Sequence, residues 1–421
     1  MQASISKSKI EGKVTAPPSK SYTIRGLMCG ALAPGQSRLL NSLGSDDTDA
    51  ATSVLRKLGL KIKQNRHEWI LNSNGFKAPT QDLFCGNSAA TLRFMMAMCS
   101  LVPGECRLTA GLSLSARPVK PLQEALQQLG IDCTSNDGFP PVNIKGGNFK
   151  GGVVTLPGDI SSQFVSALLM VAPHTSQGID IKLSTPLESR PYVLMTLDTM
   201  QWFGITVAFN ESLNSFSVLP QKYQPTRYII ESDWSSASYL LALGALTGDV
   251  TVNDLPMETM QGDRMILNFL KQMGAEFTSR GSSICVKKSN LKAIKADLTD
   301  CTDLLPTMAV LGAVAQGKTE LTGIARARIK ESDRVTAVSE NLERMGIKTF
   351  VEPDQLVITG GVPVGAVIDS QNDHRIAMAF SLLGTAVGNT IITQANSVSK
   401  TYPEFWDVLQ NLGGKVVLNE Q

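Results

Sequence analysis

Lys20, Ser21 and Arg25 stand close together in the stretch VTAPPSKSYTIRG, where two prolines end a strand-like run and an apolar helix begins. A helix N-terminus already favours anions through its dipole and its unpaired N–H groups, so two added cations and a hydroxyl point to an anion site. The same mixture recurs. At or just before further apolar helices lie Asn87, Ser88 and Arg93; Ser161, Ser162 and Gln163; Asp233 and Ser235; Asp303; and Asn372, Asp373, His374 and Arg375. A second series of helix starts offers Arg117 in SARPVKP, Ser189 and Tyr192 in ESRPYV, Arg264 in QGDR, Lys330, Glu331 and Arg334 in IKESDR, and Lys400 in SKTYPEF. Arginines suit bidentate capture of carboxylate or phosphate, and lysines supply point charges. Asp303 and Glu331 bind anions poorly but can carry protons. Together these residues read as a site for more than one anion, with proton transfer. Each has a plainer reading too. Asp233, Asp303 and Asp373 could be N-caps, Glu331 with Arg334 a surface i,i+3 pair, Ser161 and Ser162 capping hydroxyls, and His374 and Arg264 structural.

The elements that must position these groups follow from a repeat. A helix-ending phrase recurs six times, as LRKLGLKI, LQQLGIDC, MQWFGITV, LKQMGAEF, LERMGIKT and LQNLGGKV, with glycines at 59, 130, 204, 274, 346 and 413, spaced by 67–74 residues. Each phrase is an amphipathic helix end, a glycine suited to the left-handed C-cap, and a strand start. Interleaved with it runs a series of helices apolar nearly all round, such as GNSAATLRFMMAMCSLVPG and NDHRIAMAFSLLGTAVGN. Helices of that kind are buried. Six units of two helices and their strands predict two domains of three units. Buried helices running parallel within a domain would gather their N-termini on one face, where N–H groups and dipoles point together.

Bulk properties narrow the function. The 421 residues exceed one small core. Lys and Arg number 39 against 37 Asp and Glu, so no broad basic surface for nucleic acid or membrane is expected. Seven scattered cysteines without a CxxC pair suggest reduced thiols in a cytoplasm. His67, His174 and His374 have no ligand spacing, so no metal is expected. The N-terminal MQASISKSKI lacks the apolar core of a signal peptide, and no apolar run is long enough to span a bilayer. GAVAQGKT, residues 312–319, fits the P-loop pattern, but a buried helix precedes it and a strand follows, the reverse of what a P-loop needs.

PPSKSYTIR, GNSAATLR, SARP, SSQFVSALLM, SRPY, KESDR, NDHRIAMAF and SKTYPEF, in that order across nearly the whole chain, resemble the 3-phosphoshikimate 1-carboxyvinyltransferase (EPSP synthase) family. The related UDP-N-acetylglucosamine enolpyruvyl transferases differ: they carry Lys-Asn where this chain has Lys20-Ser21, and a loop cysteine that is absent near Arg117. The resemblance implies a two-domain inside-out α/β barrel, each domain three βαβαββ repeats around buried parallel helices, with the ligands in the cleft. Residues 1–18 with 230–421 would form one discontinuous domain and 19–229 the other, hinged near 18 and 230. It implies transfer of the carboxyvinyl group of phosphoenolpyruvate to the 5-hydroxyl of shikimate 3-phosphate, through a tetrahedral intermediate, without a cofactor, by a cytoplasmic monomer. The domains are expected to close on the first ligand. By the same resemblance Ser161, Ser162 and Ser189 hold the shikimate phosphate. Ser21 and Arg25 hold its carboxylate, Lys330, Asp303 and Gln163 its hydroxyls and ring, and Tyr192 lines the pocket. Lys20, Arg117 and Lys400 meet the phosphoenolpyruvate phosphate with Gln163 and Asn87, while Arg334 and Arg375 clamp its carboxylate. Glu331 is assigned as acid, Asp303 as base, and Lys20 as the group that stabilises charge at the leaving phosphate. The competing readings are another enolpyruvyl transferase, an ATP-dependent enzyme using GAVAQGKT, and a silent scaffold on the same repeats.

Two departures from the family pattern carry expectations. Its usual GNSGT reads GNSAA here, so Ala89 puts a methyl into the phosphoenolpyruvate phosphate pocket. Glyphosate, the family's inhibitor, is longer than phosphoenolpyruvate and should suffer more, giving weak inhibition. Some members carry an asparagine that touches shikimate four residues before the lysine of KESDR; that position is Arg326 here.

Overall fold

The computed structural model describes residues 1–420 apart from His67. His67, one of the histidines read as lacking ligand spacing, thus lies outside the described residues. All six repeated glycines have left-handed backbones, with φ between 78° and 100°, a region where a side chain would crowd the neighbouring carbonyl. They end the helices Asp46–Lys57, Lys120–Gln128, Arg190–Trp202, Ile266–Gln272, Arg334–Arg344 and Phe405–Asn411. The interleaved helices are Lys20–Leu32, Ala89–Cys99, Ser162–Val171, Trp234–Thr247, Leu305–Val314 and His374–Val387, buried along almost their whole length. Pro191 lies in a first helical turn; Pro118 and Pro403 lie before theirs, and Pro121 occupies that place in Lys120–Gln128.

Among the described residues the strands form six four-stranded sheets of one design, each with one parallel and two antiparallel pairings. A parallel pair needs a crossover, and in four of the sheets the buried helix supplies it. Strand Leu83–Phe84 leads through Ala89–Cys99 to its parallel neighbour Gly104–Thr109; helix Lys120–Gln128 and strands Asp132–Asn136 and Phe139–Gly146 complete the unit. Its order is βαβαββ.

The chain divides into two compact units, Pro18–Glu231 and Met1–Pro17 with Ser232–Gln421. Each holds three sheets and its own apolar core. In the first, Arg227–Ile229 returns to pair with Gly35–Leu40 and completes the opening repeat. In the second, the N-terminal strands do the equivalent work: Gln2–Ser6 lies between Thr390–Ile392 and Lys415–Asn419, and Glu11–Thr15 pairs with Asp249–Asn253.

GAVAQGKT spans the end of helix Leu305–Val314 and the start of strand Lys318–Thr322, so it is a helix-to-strand turn and not a P-loop. His174 bonds the Leu32 carbonyl at 3.0 Å, a structural role. The seven cysteines are free thiols. Among the described residues no helix is long and apolar enough to cross a membrane.

Candidate active site

In Pro18–Glu231 the helix starts meet through their side chains. Ser19, Ser88 and Ser161 cap their helices, each hydroxyl accepting a backbone N–H. Lys20, the first helical residue, forms an ion pair with Asp47 at 3.0 Å. The Asp47 carbonyl accepts from Thr91 Oγ1 at 3.3 Å, and Thr91 Oγ1 donates to Ser88 Oγ at 2.9 Å. Lys20 is thereby linked to the start of the helix whose first residue is Ala89. Asn87 folds over the next loop so closely that a Cβ at Gly111 would fall 2.5 Å from its Oδ1. Arg117 is buried just beyond that loop.

Arg25 is buried and reaches across to helix Arg190–Trp202. Its Nε donates to Thr196 Oγ1 and its Nη2 to the Tyr192 carbonyl, both at 2.8 Å, while Nη1 donates to the Ser21 carbonyl at 3.1 Å. Burial pushes its guanidinium down to about 10, because these acceptors are neutral. Tyr192 follows Ser189, which caps the helix in a left-handed conformation with φ 51° and ψ 45°. That region costs a non-glycine residue conformational energy. Arg93 joins the remaining starts: Nη1 donates to Ser161 Oγ at 3.1 Å and to Gln163 Oε1 at 2.9 Å, and Nη2 donates to the Pro118 carbonyl at 3.3 Å. Ser162 is the first residue of its helix and is buried beside Ser161.

The second unit gathers acids and bases. Arg334, 1% exposed, is the hub. Nε donates to Asp373 Oδ2 at 2.7 Å, Nη1 to Asp303 Oδ1 at 2.7 Å, and Nη2 to Glu331 Oε2 at 2.5 Å. Asp303 also meets Arg375 Nη2 at 2.8 Å and Lys330 at 3.6 Å. Glu331 also meets Lys400 at 3.2 Å. Four cations thus face three carboxylates. Burial alone would raise the Asp303 pKa, but Arg375, Lys330 and Arg334 outweigh it and hold the carboxyl well below its usual range. Burial lowers Lys330 to about 8, although Asp303 opposes the shift. For Arg334, burial opposes the charge, but Asp373, Glu331 and Asp303 overcome it and raise the pKa.

The plainer readings resolve residue by residue. Asp233 and Asp373 are N-caps. Asp303 is not; it sits inside the turn Thr302–Leu304 with its carboxylate on three cations. Glu331–Arg334 is an i,i+3 pair, but a buried one. Buried ion clusters are poor stabilisers, since desolvation cancels most of the attraction. A cluster retained at that cost is suited to binding anions and moving protons. His374 is buried at its helix start beside Asp373, and Arg264 donates to the Met257 carbonyl at 2.8 Å.

Sequence reasoning placed Arg93 among the helix-start groups without assigning it a ligand, and missed Asp47 and Asp263. Asp263 is buried and accepts from the Ser235 hydroxyl; burial, reinforced by the Asp303 charge, raises it to about 7. Asp47 lies among the three acids in the first turn of Asp46–Lys57, where it looks like dipole compensation, and only the fold places Lys20 against it.

A family model described as EPSP synthase (3-phosphoshikimate 1-carboxyvinyltransferase) matches residues 5–409. A 3-phosphoshikimate 1-carboxyvinyltransferase of Dehalococcoides mccartyi is 49% identical over 419 residues, covering 99% of both chains. One from Methanocaldococcus jannaschii is 40% identical over 97% of both. Among solved structures, an EPSP synthase from Acinetobacter baumannii superimposes with a TM-score of 0.84 at 28% identity, covering 99% of this chain and 100% of that one.

Proposed function

The chain belongs to the EPSP synthase (3-phosphoshikimate 1-carboxyvinyltransferase) family, and from that premise we propose how its residues perform the reaction. The enzyme transfers the carboxyvinyl group of phosphoenolpyruvate to the 5-hydroxyl of shikimate 3-phosphate and releases phosphate, a step of aromatic amino-acid biosynthesis. The 5-oxygen adds to C2 of phosphoenolpyruvate while its proton leaves and C3 gains one. The tetrahedral adduct then loses a C3 proton and phosphate, restoring the double bond. Protons and electrons balance without a redox partner.

Both substrates carry a phosphate and a carboxylate, so bringing them together requires cations. Ser161, Ser162 and Ser189 hold the shikimate phosphate, Ser21 and Arg25 the shikimate carboxylate, and Tyr192 packs beside them. Arg25 supports this with a charge surrounded by neutral acceptors, which uses three of its five N–H groups. Lys20, Arg117, Lys400, Gln163 and Asn87 take the phosphoenolpyruvate phosphate, next to Ala89. Arg334 and Arg375 take its carboxylate, which displaces part of the present hold of Asp303 and Glu331. Those two carboxylates then turn to proton transfer. Asp303, with Lys330 and Gln163, accepts the 5-hydroxyl proton, and Glu331 delivers the proton to C3. Lys20 steadies the leaving phosphate, and Asp47 keeps Lys20 in place beforehand.

The observation that carries this residue-level reading is the pairing of each acid–base carboxylate with at least two cations, Asp303 with Lys330, Arg334 and Arg375, and Glu331 with Arg334 and Lys400. Such charges hold Asp303 ionised and ready to accept the 5-hydroxyl proton, while the phosphoenolpyruvate carboxylate, in drawing Arg334 off Glu331, lets Glu331 take up the proton it delivers to C3. One chain supplies every named group, so a monomer suffices, and reduced thiols suit a cytoplasmic location. The test is phosphate release with purified enzyme. Release that requires both phosphoenolpyruvate and shikimate 3-phosphate is expected. Release from ATP instead, or none, refutes the reading.

A further inference from the structure

We infer that Arg326 is a positioning residue for the reaction: it locks the turn ahead of Asp303 onto the helical turn that ends at Lys330, and so fixes the Asp303–Lys330 pair. The inference rests on the roles proposed above for that pair. Strand Lys318–Thr322 runs into Gly323, whose φ is 69°; a Cβ there would fall 2.3 Å from Thr299 Oγ1 and 2.6 Å from Asp297 Oδ1. The two segments press together so tightly that only glycine fits. The 3-10 turn Ala325–Ile329 begins immediately afterwards and delivers Lys330. From it Arg326 turns inward, 9% exposed. Its Nη2 donates to the Thr299 carbonyl at 3.1 Å and reaches Thr302 Oγ1 at 3.5 Å. Thr302 donates to the Leu298 carbonyl at 3.1 Å and is followed by Asp303. One guanidinium therefore spans the segments that carry the two groups, which meet at 3.6 Å. Arg328, two residues on, points elsewhere, to Asp333 and to the Glu352 carbonyl.

Arg326 also contributes charge. The Lys330 ammonium is faced by Asp303, Arg334, Arg326 and Glu331, and Arg326 is one of the two cations that lower it. A residue that only braced the fold would not change how Lys330 titrates.

The experiment compares the full-length enzyme with Arg326→Gln and Arg326→Lys. It measures kcat and KM for shikimate 3-phosphate, the alkaline limb of kcat/KM, and the pH dependence of Lys330 acylation read by mass spectrometry. Arg326→Gln should raise KM roughly tenfold through loss of a charge-assisted bond. It should also move both the alkaline limb and the acylation midpoint to higher pH, because one repelling cation is gone. Arg326→Lys should leave both midpoints where they are, since the charge remains, but raise KM, since one ammonium cannot span the turn as the guanidinium does. Wild-type KM and unshifted midpoints in Arg326→Gln overturn the inference. If that variant does not fold, wild-type KM in Arg326→Lys overturns it. Should the unmodified enzyme release no phosphate, the functional reading fails instead, while the acylation midpoints still test the charge of Arg326 on Lys330.

Discussion

Replacing Asp303 by Asn removes one charge from the most crowded part of the cluster. Asp303 receives Arg334 at 2.7 Å and Arg375 at 2.8 Å, with Lys330 at 3.6 Å, and its side chain is only 13% exposed. Removing one partner of a buried ion pair costs about 3–5 kcal/mol. The asparagine oxygen still accepts from one arginine, which places this case near the lower end, about 3 kcal/mol. For a unit of this size that lowers the melting temperature by roughly 6–12 °C without unfolding it. The loss depends on pH with a defined sign. The folded Asp303 pKa is depressed, so its stabilisation is complete above the unfolded value of about 3.9 and fades as pH falls below it. The stability gap between wild type and Asp303→Asn should therefore narrow from pH 7 to pH 3. Catalysis should suffer more: loss of a general base lowers kcat by on the order of 10²-fold or more while substrates still bind. Lys330 loses the carboxylate that supports its charge, so the alkaline limb should move to lower pH. Denaturation followed at several pH values, with kcat from phosphate release, covers all three effects. Full activity in Asp303→Asn, or a stability gap that does not change with pH, refutes the reasoning.

Glu331→Gln should retain substrate binding and lose on the order of 10²-fold or more in kcat, checked by equilibrium titration and steady-state rates. Ala89→Gly removes a methyl at a helix start in the proposed phosphate pocket, and glyphosate should then inhibit about 10- to 200-fold more strongly, with little change in KM for phosphoenolpyruvate; an unchanged inhibition constant contradicts the placement. Ser189→Gly should raise the melting temperature, because the left-handed backbone costs serine about 1–2 kcal/mol, and should raise KM for shikimate 3-phosphate through loss of the hydroxyl. A variant both more stable and unimpaired would remove Ser189 from the site.

Features set by local chemistry were the legible ones. The six glycines announce helix ends because the left-handed C-cap suits glycine, and all six adopt it. Helix starts such as Lys20 and His374 were legible from the polar groups ahead of an apolar run, and helices Lys20–Leu32 and His374–Val387 begin there. Partners brought from afar were not legible. KESDR suggests a surface pair, yet Arg334 is buried because Asp303 arrives from the other helix start of its own repeat and Asp373 from the next repeat. Asp47 reads as one of three acids favouring a helix start until Lys20 is found 3.0 Å away. Arg326 breaks a family pattern in the sequence, and only its bonds to Thr299 and Thr302 show what it does.

The central claim is that carboxyvinyl transfer proceeds by proton addition to C3 of phosphoenolpyruvate and later proton loss from the same carbon, with Glu331 delivering the proton. The direct measurement is the reaction in deuterated water, with the methylene of the product examined by mass spectrometry and proton NMR. Addition followed by elimination passes through a methyl group, so deuterium should enter the methylene, and Glu331→Gln should slow its entry together with turnover. Product formed at the normal rate with no deuterium in the methylene would contradict the account.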